Sequence, residues 1–117
     1  MHKKIVATIQ KIPRGKVSTY GAIARAAGFP GAARQVARTL HRSFGLPWQR
    51  VVGAGGEIKL RGDSAIEQRL RLEAEGVAFR GRRVDMKRFE FRFPRPKNAH
   101  RKAPRPKALR KTRKART

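Results

Sequence analysis

The sequence predicts an α/β fold, mostly α: a winged helix-turn-helix-like domain with short hairpins over residues 1–93, followed by a disordered basic tail over 94–117. Three observations carry this. Apolar residues recur at helical spacing in three short segments before residue 43, the last two joined by a glycine-containing turn. Further on, two glycine turns are flanked by short extended runs. From Pro94 the apolar residues almost vanish, and Pro-Arg-Pro-Lys occurs at 94–97 and again at 104–107.

Ile5, Val6, Ile9 and Ile12 follow helical spacing, and Pro13-Arg14-Gly15 stops that helix. Lys16-Val17-Ser18 is a short extended link. Ser18 or Thr19 can cap a second helix with Tyr20, Ile23, Ala24 and Ala27 facing inward, and Gly28 supplies a left-handed stop. Pro30-Gly31 turns the chain into a third helix. There Ala33, Val36, Ala37 and Leu40 form the core side, while Arg34, Arg38 and Arg42 form a ladder of guanidinium groups on another stripe. The pair is either a helix-turn-helix or a helical pair with a solvated basic face.

Val51-Val52, Gly53-Ala54-Gly55-Gly56 and Glu57-Ile58-Lys59-Leu60 predict a hairpin, the candidate wing. That turn explains the glycines better than a nucleotide-binding loop, because no strand-helix unit surrounds them. Asp63 or Ser64 can cap a further helix with Ile66, Leu70 and Ala74 as its apolar face and Gly76 as its stop. Val77-Ala78-Phe79 and Arg83-Val84 predict a second hairpin around Gly81. Asp85 to Phe93 carries Met86, Phe89 and Phe93 at helical offsets, and strict alternation over 89–93 keeps a strand as the alternative.

Charge and composition then bound the function. The 117 residues suffice for one domain, with 31 Lys+Arg against 7 Asp+Glu and a net charge of +24. Residues 94–117 hold 11 Lys+Arg and no acid, so the tail carries +11 and the body keeps +13. A field of that sign suits a polyanion, nucleic acid or an anionic membrane surface. The absence of cysteine removes disulfides, thiolate nucleophiles and cysteine-ligated zinc. His2, His41 and His100 are too dispersed to predict a metal cluster. The apolar run that ends before Gln10 is too short for a signal peptide, and no stretch approaches a membrane span. The expectation is an intracellular, cytoplasmic monomer with no membrane partner, nucleoid-associated in a bacterium, needing no cofactor or metal.

Four ordered stretches resemble the DNA-binding domain of the O6-alkylguanine-DNA alkyltransferases, over about residues 1–92. They are Ile12-Pro13-Arg14-Gly15-Lys16-Val17-Ser18-Thr19-Tyr20-Gly21-Ala22-Ile23-Ala24, then Ala32-Ala33-Arg34-Gln35-Val36, then Pro47-Trp48-Gln49-Arg50-Val51, then Leu72-Glu73-Ala74-Glu75-Gly76. In that family the third stretch is Pro-Cys-His-Arg-Val, whose cysteine accepts the alkyl group. Here Trp48 stands at the cysteine position and Gln49 at the histidine position, which is similar to the non-enzymatic alkyltransferase-like branch. The family's separate N-terminal domain is expected to be missing, and the segment between Arg34 and Pro47 is shorter and lacks Asn-Pro.

The chemistry of the residues agrees. Dealkylation is a displacement at an unactivated carbon and needs a soft nucleophile such as thiolate. An indole offers only an N–H donor. The expectation is therefore binding without turnover, with Trp48 as a flat apolar wall of a damaged-base pocket; the plainer reading is a tryptophan that plugs the core.

The resemblance implies further roles. Tyr20 helps to rotate the nucleotide out of the duplex, and Arg34 fills the space it leaves. Arg61, 13 positions after Trp48, contacts the lesion. Thr19, Ala32, Ala33, Arg34, Gln35, Arg38 and Arg42 meet DNA, with small alanines allowing the helix into the minor groove. Glu75 matches the glutamate of the transferases' hydrogen-bond relay; with no nucleophile to serve, it is expected to be structural, as is Arg50. The implied function is recognition of O6-alkylguanine in double-stranded DNA by nucleotide flipping, marking lesions for nucleotide excision repair. The alternatives are a generic basic DNA-binding or nucleoid protein and a catalytically active alkyltransferase.

Overall fold

The structure, a computed structural model, describes residues 1–94. The tail expected over 94–117 lies outside the described residues except for Pro94. Helix α1 (His2–Gln10) buries Ile5, Thr8 and Ile9, and the Thr8 hydroxyl donates to the Lys4 carbonyl at 2.7 Å. Ile12 stays in the core after the helix has ended.

Strand β1 (Ser18–Thr19) leads directly into α2 (Tyr20–Ala26). Thr19 is the cap, its Oγ1 accepting the Ala22 N–H at 3.1 Å, whereas Ser18 is fully buried in the strand. Gly28 has φ of 95°, and the Phe29 N–H reaches back to the Ala24 carbonyl at 2.8 Å. That six-residue loop closes the helix in a Schellman motif, which requires the left-handed residue. After the turn, α3 (Ala33–Arg42) packs on α2 and α1, giving the expected helix-turn-helix pair.

The inward face of α3 differs from the expected one. Val36 and Thr39 are buried, Leu40 packs at the core's edge, and Ala33 and Ala37 are half-buried. The helix is rotated so that Ala37 meets a cavity. Thr39 takes the interior place instead.

The hairpin expected over 51–60 does not form. Strand β2 (Val51–Val52) pairs in parallel with β1, Ser18 opposite Val51 and Thr19 opposite Val52. Residues Ala54–Gly56 form a 3-10 turn, closed by the Gly53 N–H on the Glu57 carbonyl at 2.7 Å. Beyond it only an isolated bridge joins Glu57 to Arg83. The reason is burial on both sides. Successive strand residues point to opposite faces. Val51 belongs to the first core, with Ile5, Ile9, Ile23 and Val36; Val52 belongs to the second, with Val17, Leu72, Val77 and Val84. A strand clamped between two cores cannot also be the exposed arm of a wing.

Helix α4 (Asp63–Ala74) starts after Gly62, so neither Asp63 nor Ser64 caps it with a side chain. Its rotation also departs from expectation. Ile66 and Leu70 are 61% and 60% exposed and Ala74 is exposed, while Gln68 and Leu72 are buried. Polar geometry overrides the apolar pattern. Gln68 Nε2 donates to the Gln49 carbonyl at 3.1 Å and to the Val51 carbonyl at 2.8 Å, satisfying backbone groups that end no regular ladder. Ala65, Gln68 and Leu72, at i, i+3 and i+7, therefore face inward.

The second hairpin is present: β3 (Phe79–Arg80) pairs antiparallel with β4 (Arg83–Val84) around Gly81. Gly56 permits the 3-10 turn to lie against it, since a Cβ there would sit 2.5 Å from the Val84 carbonyl oxygen. Of the two alternatives for 85–93, the helix forms over its first part only, and the strand expected over 89–93 is reduced to an isolated parallel bridge between Glu90 and Val17. Helix α5 covers Met86–Phe89, and then the Phe91 N–H donates to the Val17 carbonyl at 2.7 Å in extended chain. Phe91 and Phe93 meet edge to face at 4.9 Å and pack against the first core.

The rotation of α4 makes a direct prediction. Leu72→Ala should destabilise the protein by about 2–5 kcal/mol, whereas Leu70→Ala should change stability by less than about 0.5 kcal/mol. Urea unfolding of the two variants checks it; equal losses would contradict the observed rotation.

Candidate nucleic-acid interface

Trp48 sits in a 3-10 turn, Trp48–Arg50, directly before β2. The side chains of the next two residues, Gln49 and Arg50, tie the turn to a buried carboxylate. Glu75, 6% exposed, ends α4 and accepts four sets of hydrogen bonds. They come from the Gly15 N–H at 2.9 Å, Gln49 Nε2 at 2.8 Å, Arg50 Nε at 3.1 Å and Arg50 Nη2 at 3.1 Å. Arg50 Nη1 continues to the Ile12 carbonyl at 2.9 Å. The structural roles expected for Glu75 and Arg50 are what the geometry shows.

Burial pushes the Glu75 carboxyl up. The hydrogen bonds from Arg50, Gly15 and Gln49 and the charge of Arg50 outweigh that push, and the carboxyl titrates below the ordinary range. It is therefore ionised at neutral pH.

Above this anchor the Trp48 ring is half-buried and belongs to neither core cluster. It opens on a cavity of about 290 Å³, lined also by Tyr20, Ala37, Leu40, His41, Leu60, Ser64 and Glu67. Burial pushes the Tyr20 phenol up, so it is a neutral hydroxyl at pH 7. The guanidinium of Arg71 lies over the indole, 5.4 Å from the ring centroid.

The structure brings Trp48 and Tyr20 together in one cavity at the edge of the helix-turn-helix. Arg34, one turn before Ala37 on α3, is exposed, as are Arg38 and Arg42. Arg38 and Arg42, with Gln35, line a separate concavity against the start of α1. Ala32 and Ala33 are half-buried where α3 begins, and the Thr19 oxygen is engaged in its cap. Arg61 is exposed on the loop before α4; its neighbour Leu60 lines the cavity and Arg61 does not. Leu60, Ser64 and Glu67 were not foreseen as lining residues. Nothing in their local pattern marks them, because only the docking of α4 on the Trp48 turn, with the loop before it, brings them to the cavity. Among the described residues, no group of three or more His, Asp or Glu could hold a metal ion, and no helix is long and apolar enough to cross a membrane.

Residues 1–77 match the family model described as 6-O-methylguanine DNA methyltransferase, DNA binding domain. The chain belongs to this family. Within the methyltransferase DNA-binding family it is similar to the DNA base-flipping protein of Vibrio parahaemolyticus, 48% identical over 77 residues that cover 63% of this chain and 77% of that one. It is also similar to alkyltransferase-like protein 1 of Schizosaccharomyces pombe, 48% identical over 81 residues that cover 65% of this chain and 75% of that one. A solved structure of S. pombe Atl1, in complex with damaged DNA containing O6-carboxymethylguanine, superposes with a TM-score of 0.67 at 33% identity. That match covers 78% of this chain and 94% of the other.

The anchor beneath Trp48 predicts an acid sensitivity. Folded Glu75 binds its proton less readily than unfolded Glu75, so its stabilisation is complete above about pH 4.3 and drains as pH falls through the lowered folded value. Glu75→Ala should cost about 3–5 kcal/mol at pH 7, because it strands the Arg50 charge. Glu75→Gln should flatten the acid limb of the stability profile. Denaturation midpoints from pH 7 to 3 check both; an unchanged acid limb in Glu75→Gln would contradict the linkage.

Proposed function

We propose that this protein recognises O6-alkylguanine in double-stranded DNA, turns the damaged nucleotide out of the helix and holds it without transferring the alkyl group. The observation that carries the reading is the cavity beside Trp48, at the edge of a helix-turn-helix with outward arginines, in a chain that has no cysteine. A flipped base needs a shaped pocket with a flat apolar wall, and an indole and a phenol supply one. The names and the DNA complex of the relatives support the same reading. With thiolate missing, the displacement at carbon has no nucleophile of adequate strength.

In this reading residues 1–93 form the DNA-binding domain and 94–117 a basic phosphate anchor. Trp48 walls the flipped base. Tyr20 rotates the nucleotide's backbone. Arg34 enters the vacated space and stacks there. Arg61 swings from its exposed loop toward the alkyl group. Thr19, Ala32, Ala33, Gln35, Arg38 and Arg42 follow the two strands. Phosphate contacts fix register and supply most of the affinity, so discrimination rests on the extruded base. The protein acts where DNA is, in the cytoplasm or on the nucleoid of a bacterium. The held complex serves as a mark for nucleotide excision repair; that last step rests on the family resemblance alone.

Equilibrium binding to duplexes differing only in one O6-methylguanine tests the reading, and tighter binding of the damaged duplex is the expected result. Arg34→Ala should weaken damaged-duplex binding by about 1–3 kcal/mol, the scale of a stacking contact, and undamaged binding by less. A uniform loss would make Arg34 a phosphate contact, and equal wild-type affinities would favour a generic DNA binder. Trp48→Cys should accept no radiolabel from O6-methylguanine DNA, because Gln49 cannot deprotonate a thiol. Label on the introduced sulfur would show that the pocket needs only a nucleophile.

A further inference from the structure

Among the described residues, Glu67 is the one acidic side chain that lines the cavity beside Trp48. It projects from α4 and is joined, one turn on, to Arg71. Glu67 Oε2 accepts from Arg71 Nε at 2.8 Å and lies 2.6 Å from Arg71 Nη2 in the same ion pair. Both contacts fall on the same oxygen, so Oε1 keeps its acceptor capacity. The pair is half-exposed, 52% for Glu67 and 50% for Arg71, so its contribution to fold stability is small. Its placement is what matters.

Arg71 reaches the site differently. It does not line the cavity; with Gln10 and Arg50 it lines a more open concavity, and Trp48 lines both. Its guanidinium lies over the indole face at 5.4 Å. The ring is held by a cation–π contact whose cation is in turn held by Glu67. A group inside the cavity therefore meets a carboxylate directly and a cation through the indole. Of the other ionisable groups nearby, His41 also lines the cavity, and Arg61, exposed on the preceding loop, is the cation that the reading above brings to the alkyl group; both are unchanged in the variants below, so the change of ratio reports Glu67.

Resting on the reading above, we propose that Glu67 sets the charge selectivity of the lesion cavity, favouring neutral O6-alkyl groups over adducts with an anionic tail, and that Arg71 is the positioning residue that fixes both Glu67 and the Trp48 ring. An anion entering the cavity meets the free oxygen of Glu67 at its wall, where the protein's lower polarisability makes a unit charge felt more strongly than in bulk water. The +24 of the whole chain attracts the extra charge of an anionic tail as well, but that field is nearly the same in the wild type and in Glu67→Gln and so drops out of the change in ratio between them.

The test uses the full chain and duplexes identical except for one base. That base is O6-carboxymethylguanine, the lesion in the S. pombe complex, or O6-carbamoylmethylguanine, its neutral amide analogue. The readout is the ratio of the two affinities, with an undamaged duplex as reference. Glu67→Gln, which keeps shape and removes charge, should move the ratio toward the anionic lesion by about threefold to tenfold. Arg71→Met leaves Glu67 uncompensated and should move it the opposite way. It should also shift the emission of Trp48, the single tryptophan of the chain. Opposite signs cannot arise from general loosening. A ratio unmoved by Glu67→Gln, or moved in one direction by both substitutions, overturns the proposal while lesion preference itself survives. A wild type that binds neither lesion more tightly than undamaged DNA overturns the function reading, and this proposal with it.

Discussion

The buried carboxylate of Glu75 is the point on which the site depends. It ends α4, yet it holds the Gly15 turn after α1 and both Gln49 and Arg50 beneath Trp48. A negative charge at a helix C-terminus opposes the helix dipole, so nothing local favours it there. Donors from two distant segments make it stable. The interaction is also specific in geometry. Removing any one donor leaves charge or a hydrogen-bonding group in a place that water reaches poorly. Through this contact the end of α4 and the tryptophan turn are tied together.

The division of labour around Trp48 follows from that anchor. Its backbone belongs to a turn whose carbonyls and side chains are used below, by Gln68 and Glu75. Its ring lies above, in contact with a cavity and a guanidinium. A binding group carried on a rigid support can be presented in one orientation, which is what recognition of a single extruded base requires. The fold keeps the positions of a relay without a nucleophile at its head. Gln49 bonds Glu75 and the carboxylate fixes structure, so the same geometry supports holding and not turnover.

Helix α4 shows how the site and the core compete for one element. Its inward stripe contains Gln68, spent on the carbonyls of Gln49 and Val51, so Ile66 and Leu70 are left on the outside. The same rotation carries Glu67 into the cavity and Arg71 over the indole. Hydrophobic burial alone would turn the helix the other way. Two satisfied carbonyls, together with the anchoring of its end by Glu75, decide otherwise.

Much was legible in the residues themselves. The periodicity of Ile5, Ile9, Ile23 and Val36, the Thr19 cap and the Gly28 stop depend on neighbours within a turn or two, and such interactions act the same way in any fold. The missing cysteine and the Trp48 substitution settled the available chemistry before any coordinate. Three things depended on partners far along the chain: the parallel pairing of Val51-Val52 with Ser18-Thr19, the rotation of α4, and the membership of Leu60 and Glu67 in the cavity wall. Pattern predicts which residues want burial. It does not say which of two cores receives each one, or when a buried carboxylate and an amide will outweigh an apolar stripe. Those choices are made by contacts between segments that meet only when the chain closes on itself.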